Sequence, residues 1–276
     1  MALLKVACLQ LNARDDVHAN LDAAISAVRD AAGQGARLIT LPEYAVLLDG
    51  SGRVMRSHSP VENESAALAA LKAIARETET WLLIGSLTVT LPEERMANRS
   101  YLIGADGEIV ARYDKIHMFD VTLPGGKVIR ESSAYRPGQY AVVAKTPWGS
   151  VGMSVCYDLR FPQLYRALAQ AGASMLFVPA SFQRETGPDH WHTLLRARAI
   201  ENTAWIIAPA MCGEHGNGRS TYGHSLVVDP WGRIVGELGD TPGNLIVDIE
   251  LDEADRIRAM LPSLQHDRPF ELKRLG

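Results

Sequence analysis

Disulfide frameworks, long apolar spans and a one-signed charge excess are all missing from this sequence, and each absence removes a class of function. Only three cysteines, Cys8, Cys156 and Cys212, occur in 276 residues, widely spaced and without a C-x-x-C pair. That argues against a disulfide scaffold and against a cysteine-rich zinc site. The longest apolar runs, such as Ala204 to Met211, are too short to cross a bilayer. A net charge of -4 leaves no footprint for nucleic acid or an anionic membrane, and neither is expected as a partner. No G-x-S-x-G elbow, phosphate-binding loop or dinucleotide-binding G-x-G-x-x-G follows a strand. His190 and His192 sit two apart on an expected helix and project to different sides, so they do not form a metal-binding pair. No metal is therefore expected. The segment Met1-Ala2-Leu3-Leu4-Lys5-Val6 lacks the features of a secretory signal, and a cytoplasmic location is expected. Hydrophobic residues at 47% and charged residues at 22% are an ordinary globular mix, enough for one large core in a single domain over 1–276.

What is present alternates strand and helix along most of the chain. Leu3 to Leu9 reads as a buried strand and Val17 to Ala32 as a helix with Leu21, Ala24, Ile25 and Val28 on one face. Gly33 and Gly35 stop it before a second strand, Arg37 to Thr40. Another amphipathic helix is expected over Asn63 to Thr80. Strands follow at Trp81 to Thr90, Arg99 to Ala105 and Glu108 to Arg112, the last two joined by the hairpin signal Asp106-Gly107. Helices at Phe161 to Ala171 and His190 to Asn202 alternate with strands at Ser174 to Val178 and Trp205 to Ala210. His224 to Asp229, Arg233 to Leu238 and Asn244 to Ile249 read as strands, and Asp252 to Met260 as a last helix. No internal repeat is visible. Mixed βα units and hairpins imply an α/β fold with a mixed sheet or two packed sheets. The stretch His117 to Gln139 has no clear period, and a loop of that length is expected to lie over a functional site.

An acid, an amine and a thiol each stand where a strand gives way to a loop. They are Glu43 in Leu41-Pro42-Glu43-Tyr44, Lys115 in Tyr113-Asp114-Lys115-Ile116-His117, and Cys156 after the apolar run Ser150 to Val155. In open α/β architectures that edge is where ligands bind. A thiol reacts as thiolate, so Cys156 needs a lowered pKa or a neighbouring base. The helix starting after it and Lys115 would lower the pKa, and Glu43 could accept the proton. No histidine is paired with Cys156 by any sequence logic. Taken singly, Glu43 could brace a strand end and Lys115 could be a surface lysine. Asp158 and Arg160 are expected to tie the turn after Cys156 as an ion pair, and Arg198 and Glu201 to be structural. Cys8 reads as a core thiol and Cys212 as a spectator beside a surface loop.

Leu41-Pro42-Glu43, Tyr113-Asp114-Lys115-Ile116-His117 and Val155-Cys156-Tyr157-Asp158-Leu159-Arg160-Phe161-Pro162, in that order, resemble the three signature blocks of the nitrilase (carbon–nitrogen hydrolase) superfamily. The likeness runs nearly end to end. It implies an α/β four-layer αββα sandwich, normally paired through its outer helices into a homodimer or higher homo-oligomer, and no cofactor. It also implies roles: Cys156 as nucleophile, Glu43 as general base, Lys115 as the cation that stabilises the tetrahedral intermediate, and Glu131 as a second glutamate orienting substrate and Lys115. The C-terminal half, through Thr186 to Trp191 and Tyr222-Gly223-His224-Ser225 to Trp231-Gly232, resembles two sister amidase branches. One acts on deaminated glutathione and the other, ω-amidase, on α-ketoglutaramate; the Cys212-Gly213-Glu214-His215 loop and Phe161-Pro162 look closer to the first. A small anionic amide is thus the expected substrate. Tyr157, Arg160, Ser181, Phe182, Thr186 and His190 are its candidate contacts, with Lys127, Arg130 and Arg184 as further cations. An ω-amidase, an aliphatic amidase or nitrilase, and an inactive binding protein are the alternatives.

Overall fold

The computed structural model describes residues 2–123, 125–126 and 128–275. The first half comprises β1 (Leu3–Gln10), α1 (Val17–Gly33), β2 (Leu38–Thr40), α2 (Gly52–Ser57), α3 (Ala66–Thr78), β3 (Trp81–Thr90), β4 (Met96–Ile103) and β5 (Ile109–Asp114). A short hairpin follows, β6 (Asp120–Thr122) and β7 (Val128–Arg130). The second half holds β8 (Val142–Thr146), β9 (Gly149–Met153), α4 (Pro162–Gln170), β10 (Met175–Phe177), α5 (Gly187–Asn202) and β11 (Trp205–Ala208). Last come the hairpin of β12 (Cys212–Glu214) and β13 (Ser220–Tyr222), then β14 (Leu226–Val228), β15 (Ile234–Glu237), β16 (Gly243–Glu250) and α6 (Glu253–Met260).

Local signals set the helix ends. Asp16 accepts the Ala19 N–H at 3.0 Å to start α1, and Ser65 accepts the Leu68 N–H at 3.2 Å to start α3. Pro162 opens α4, where its missing N–H costs nothing. Ala24, Val28 and Ala31 recur at helical spacing on the buried face of α1, as Leu68, Leu71, Ile74 and Ala75 do on α3.

The strands make two six-stranded sheets, ordered β16-β1-β2-β3-β4-β5 and β15-β14-β11-β10-β9-β8. In each, three central strands run parallel (β1-β2-β3 and β9-β10-β11) and the flanking pairs are antiparallel. The same ladder pattern therefore occurs twice, although no repeat shows in the sequence. Strand alternation sorts the side chains into layers. Val6 and Cys8 of the first sheet pack against Met153, Met175, Phe177 and Ile207 of the second, forming the inner core. Ala7, Leu9 and Ile39 point the other way onto α1 and α3. Leu176, Val178 and Ile206 face α4 and α5. The result is the αββα sandwich, each fully buried Leu, Ile or Phe contributing about 1.5–3 kcal/mol.

Several expectations shift. The helix expected from Asn63 begins at Ala66, after a 3₁₀ turn at Glu62–Glu64, and β8, α2 and the β12–β13 hairpin are additional elements. The stretch His117 to Gln139 is not featureless: it carries β6, β7 and a 3₁₀ turn at Glu131–Ser133. Exposed strand faces there (Asp120, Thr122, Val128 and Arg130 are all exposed) hide the alternation from a hydrophobicity pattern. Gly85 in β3 is required by close approach, since a Cβ there would overlap the Leu41 and Pro42 carbonyls of the turn leading to Glu43. The carboxyl ends of β2, β5, β9 and β10 thus converge on one edge of the two-sheet stack.

Candidate active site

Four chain segments leaving those strand ends bring Glu43, Lys115, Cys156 and Ser181 into the wall of one cavity of about 310 Å³. Lys115 is almost completely buried, and its Nζ lies 3.1 Å from Glu43 Oε1 and 2.9 Å from Glu131 Oε2. Glu43, equally buried, uses both oxygens: Oε1 also accepts from Asn98 Nδ2 at 2.8 Å, and Oε2 accepts the Ser181 N–H at 2.8 Å and its hydroxyl at 2.6 Å. Glu131 accepts from Tyr44 Oη at 3.2 Å and from the Phe119 N–H at 2.6 Å. The Cys156 thiol lines the same cavity wall, close enough to the Glu43 carboxylate to feel its charge.

Burial pushes the Glu43 carboxyl upward, but Lys115, then Ser181, Arg219 and the Cys156 thiol, pull harder, and its pKa is lowered to about 2. Burial alone would favour neutral Lys115, yet Glu131 and Glu43 outweigh it and hold the ammonium well above the ordinary lysine range. Cys156 goes the opposite way to the expectation. Burial first, and the Glu43 anion second, push the thiol well above its usual value, and Lys115 opposes without winning. The expected helix is there as α4, but a five-residue 3₁₀ turn, Cys156–Arg160, whose first residue is Cys156 itself, separates the sulfur from its first turn. The sulfur therefore rests protonated beside a carboxylate, and activation falls to the base rather than to a lowered pKa.

Backbone geometry marks the same place. Tyr44 and Cys156 are non-glycine residues with φ of 59° and 49°, the left-handed region that L side chains avoid. The Cys156 N–H is held by the Pro179 carbonyl at 2.9 Å, which leaves the Tyr157 N–H as a first-turn donor without an acceptor inside the 3₁₀ helix. Asp158, fully buried, accepts from Tyr113 Oη at 2.7 Å, the Val155 N–H at 2.9 Å and the His117 N–H at 3.0 Å. His117 Nδ1 lies 2.7 Å from the same carboxylate, and its ring stacks on Phe161. Tyr113 and His117, on either side of Lys115, thereby fasten its segment to the turn after Cys156.

The arrangement gathers a thiol, a carboxylate, an ammonium and a backbone N–H around one cavity, groups of the kind that can open an acyl carbon–nitrogen bond. The carbon-nitrogen hydrolase model matches residues 5–259. The chain belongs to the carbon–nitrogen hydrolase family. It is a hydrolase acting on amide-type carbon–nitrogen bonds. A deaminated glutathione amidase of Yersinia enterocolitica is 42% identical over 267 residues, covering 95% of this chain and 92% of that protein. Another from Synechocystis sp. is 39% identical over 264 residues, 94% of this chain and 96% of its own length. The crystal structure of Saccharomyces cerevisiae Nit3, a member of branch 10 of the nitrilase superfamily, superposes with a TM-score of 0.85 at 29% identity, covering 94% of each chain.

Within this hydrolase fold the remaining sequence candidates separate. Tyr157, Arg160, Phe182, Thr186 and Arg130 line the cavity with Ser181. Ser181 spends its N–H and hydroxyl on Glu43. His190 is exposed, lies outside the cavity wall and sits 3.2 Å behind an Arg160 guanidinium nitrogen, so its part is to hold Arg160. The expected Asp158–Arg160 ion pair is replaced: Asp158 is taken by Tyr113 and His117, and Arg160 lies over the Tyr157 and Phe182 rings. Arg184 lies outside the wall, and Lys127 lies outside the described residues. Arg198 caps the Leu159 carbonyl at 2.7 Å and pairs with Glu201. His192, separated from His190 as expected, instead meets His224 and Glu237. Glu237 Oε1 is 2.8 Å from both imidazoles, and their hydrogen bonds hold it below the usual carboxylate range against its burial. Sequence reading overlooked Asn98, Tyr44 and Arg219. Asn98 is buried in β4 as the first of three consecutive polar residues, Asn98-Arg99-Ser100.

Proposed function

We propose that this chain is a cysteine-dependent amidase that cleaves deaminated glutathione to 2-oxoglutarate and Cys-Gly through a thioester. The observation that carries the reading is the meeting of the Cys156 thiol, the Glu43 carboxylate and the Lys115 ammonium in one cavity. Cys156 Sγ attacks the amide carbon while Glu43 takes the thiol proton. Because sulfur and carboxylate hold their protons so unequally at rest, that transfer accompanies the attack rather than preceding it. The oxyanion is met by Lys115 Nζ and the Tyr157 N–H, each donor of this kind lowering the barrier by about 3 kcal/mol. Glu43 returns its proton to the departing amine of Cys-Gly. A water then gives a proton to Glu43 and attacks the thioester, and collapse releases 2-oxoglutarate and the thiol. Glu131 acts one step back, fixing Lys115 and the Phe119 backbone.

Support for this substrate comes from the names and near-complete coverage of the relatives and from the Arg130 and Arg160 cations in the cavity wall. The reading extends to one hydrolase domain over 1–276, working in the cytoplasm as a homodimer or higher homo-oligomer. Among the described residues no helix is long and apolar enough to cross a membrane, and exposed Ile200, Trp231, Phe270 and Leu272 offer apolar surface for self-association. Sedimentation analysis reads the assembly. Intact-mass spectrometry during turnover should trap a 2-oxoglutaryl adduct on Cys156 that is absent in Cys156→Ala. Comparison of kcat/KM for deaminated glutathione, α-ketoglutaramate and a simple nitrile tests the substrate. A preference of about tenfold or more for α-ketoglutaramate would overturn it in favour of an ω-amidase.

A further inference from the structure

Arg219 sits in the loop between β12 and β13 and forms part of the cavity wall. Its Nη2 donates to Ser181 Oγ at 2.8 Å, and its guanidinium lies 5.6 Å from the centre of the Tyr44 ring. Its Nε is shut off from solvent and meets no acceptor, and no carboxylate among the described residues pairs with it directly. A guanidinium has five N–H donors in a flat fork that matches a carboxylate, and a buried Nε without an acceptor is costly to leave unpaired.

The loop is held rigidly enough to aim it. The His215 N–H donates to the Arg219 carbonyl at 2.8 Å. The buried His215 ring is clamped between the Ala13 carbonyl at 2.6 Å and Thr221 Oγ1 at 2.7 Å. Asn217 donates to both oxygens of Asp49 at 2.7 and 2.8 Å, and the Gly50 N–H reaches the Gly216 carbonyl at 2.9 Å. A cation fixed in this way contributes affinity with little ordering cost on binding.

We infer that Arg219 is a specificity-determining residue that receives a carboxylate of the substrate, and that this contact makes the cavity prefer anionic amides over neutral ones. The inference rests on the proposed amidase reading and adds an anchor to it. An acyl group ending in a keto acid and a leaving group ending in glycine are the two possible sources of that carboxylate. Arg219 also touches Glu43 through Ser181, so an anion seated on it withdraws positive charge from the proton-accepting side of the site.

The test compares wild type, Arg219→Met and Arg219→Lys on four amides: deaminated glutathione, its glycine carboxamide, α-ketoglutaramate and neutral butyramide. Arg219→Met should lose about 100-fold in kcat/KM on the anionic amides, chiefly through KM, against about 5-fold on butyramide. Arg219→Lys should restore about a tenth of the loss, as a point charge replacing a fork. A loss shared by α-ketoglutaramate places the contact at the glutaryl end. A loss confined to deaminated glutathione and abolished by the carboxamide places it at the glycyl end. Equal losses on charged and neutral amides, with unchanged melting temperature, would overturn the inference. A wild-type preference for α-ketoglutaramate would overturn the deaminated-glutathione reading alone and leave Arg219 standing.

Discussion

Glu43, Lys115 and Glu131 form one titratable cluster, and His192, His224 and Glu237 form another. The first is at most 7% exposed at any side chain and sits where two sheets end; the second is 25–32% exposed and spans α5, β15 and the loop before β14. In the first, one donor (the Lys115 ammonium) is shared between two carboxylates; in the second, one carboxylate (Glu237) is shared between two imidazoles. In the exposed cluster the bonds close on themselves and water supplies the rest. In the buried one every carboxylate oxygen is engaged, yet a half-buried thiol leans on it. Burial converts the same bond lengths into large differences in proton affinity, because a charge without water depends wholly on its neighbours.

The contrast can be broken in order of effect. Cys156→Ala should lower kcat/KM by about 10⁵-fold while calorimetry shows an unchanged transition, since the thiol serves chemistry rather than packing. Glu43→Gln should cost about 10³-fold in kcat, the share of a positioned base, with substrate KM little altered. Lys115→Met strands two buried carboxylates, and urea unfolding at pH 7 should show a loss of about 3–5 kcal/mol. That deficit should shrink in acid as the stranded carboxylates take up protons. His215, whose pKa burial lowers to about 4 against the opposing Ala13 carbonyl, binds its proton more weakly folded than unfolded. The unfolded chain therefore takes up the extra proton between pH 6.5 and 4, so wild-type stability should fall over that window by up to about 3 kcal/mol. His215→Gln should flatten this portion of the profile in pH-dependent urea melts. The smallest effect belongs to the exposed cluster: Glu237→Gln should change stability by less than about 1 kcal/mol and leave kcat/KM within about threefold. A Glu237→Gln loss as large as that of Lys115→Met would remove the distinction drawn between the two clusters.

Much of this site could be read before folding. Strand ends carrying Glu43, Lys115 and Cys156 are local patterns, and apolar periodicity located α1, α3, α4 and α5 to within a few residues. What escaped is what only packing creates. Asn98 matters because β4 runs beneath the turn carrying Glu43, and Arg219 because the β12–β13 hairpin, far along the chain from Cys156, folds back over Tyr44. The sign of the Cys156 shift was missed for the same reason: a sequence shows which charges exist, but not how little water reaches them. The repeated ladder pattern is likewise a matter of strand pairing, which the sequence of a single strand does not display.

Tyr113 and His117 both grasp Asp158, a residue two places beyond the sulfur. The segment bearing the amine and the turn bearing the thiol are therefore latched at a point neither of them uses for chemistry. While this clasp holds, a shift of one sheet against the other would carry ammonium and sulfur together. Distances within the reacting pair are insulated from the slack of the larger frame, so loosening this clasp would blur reactivity long before it unfolded the molecule.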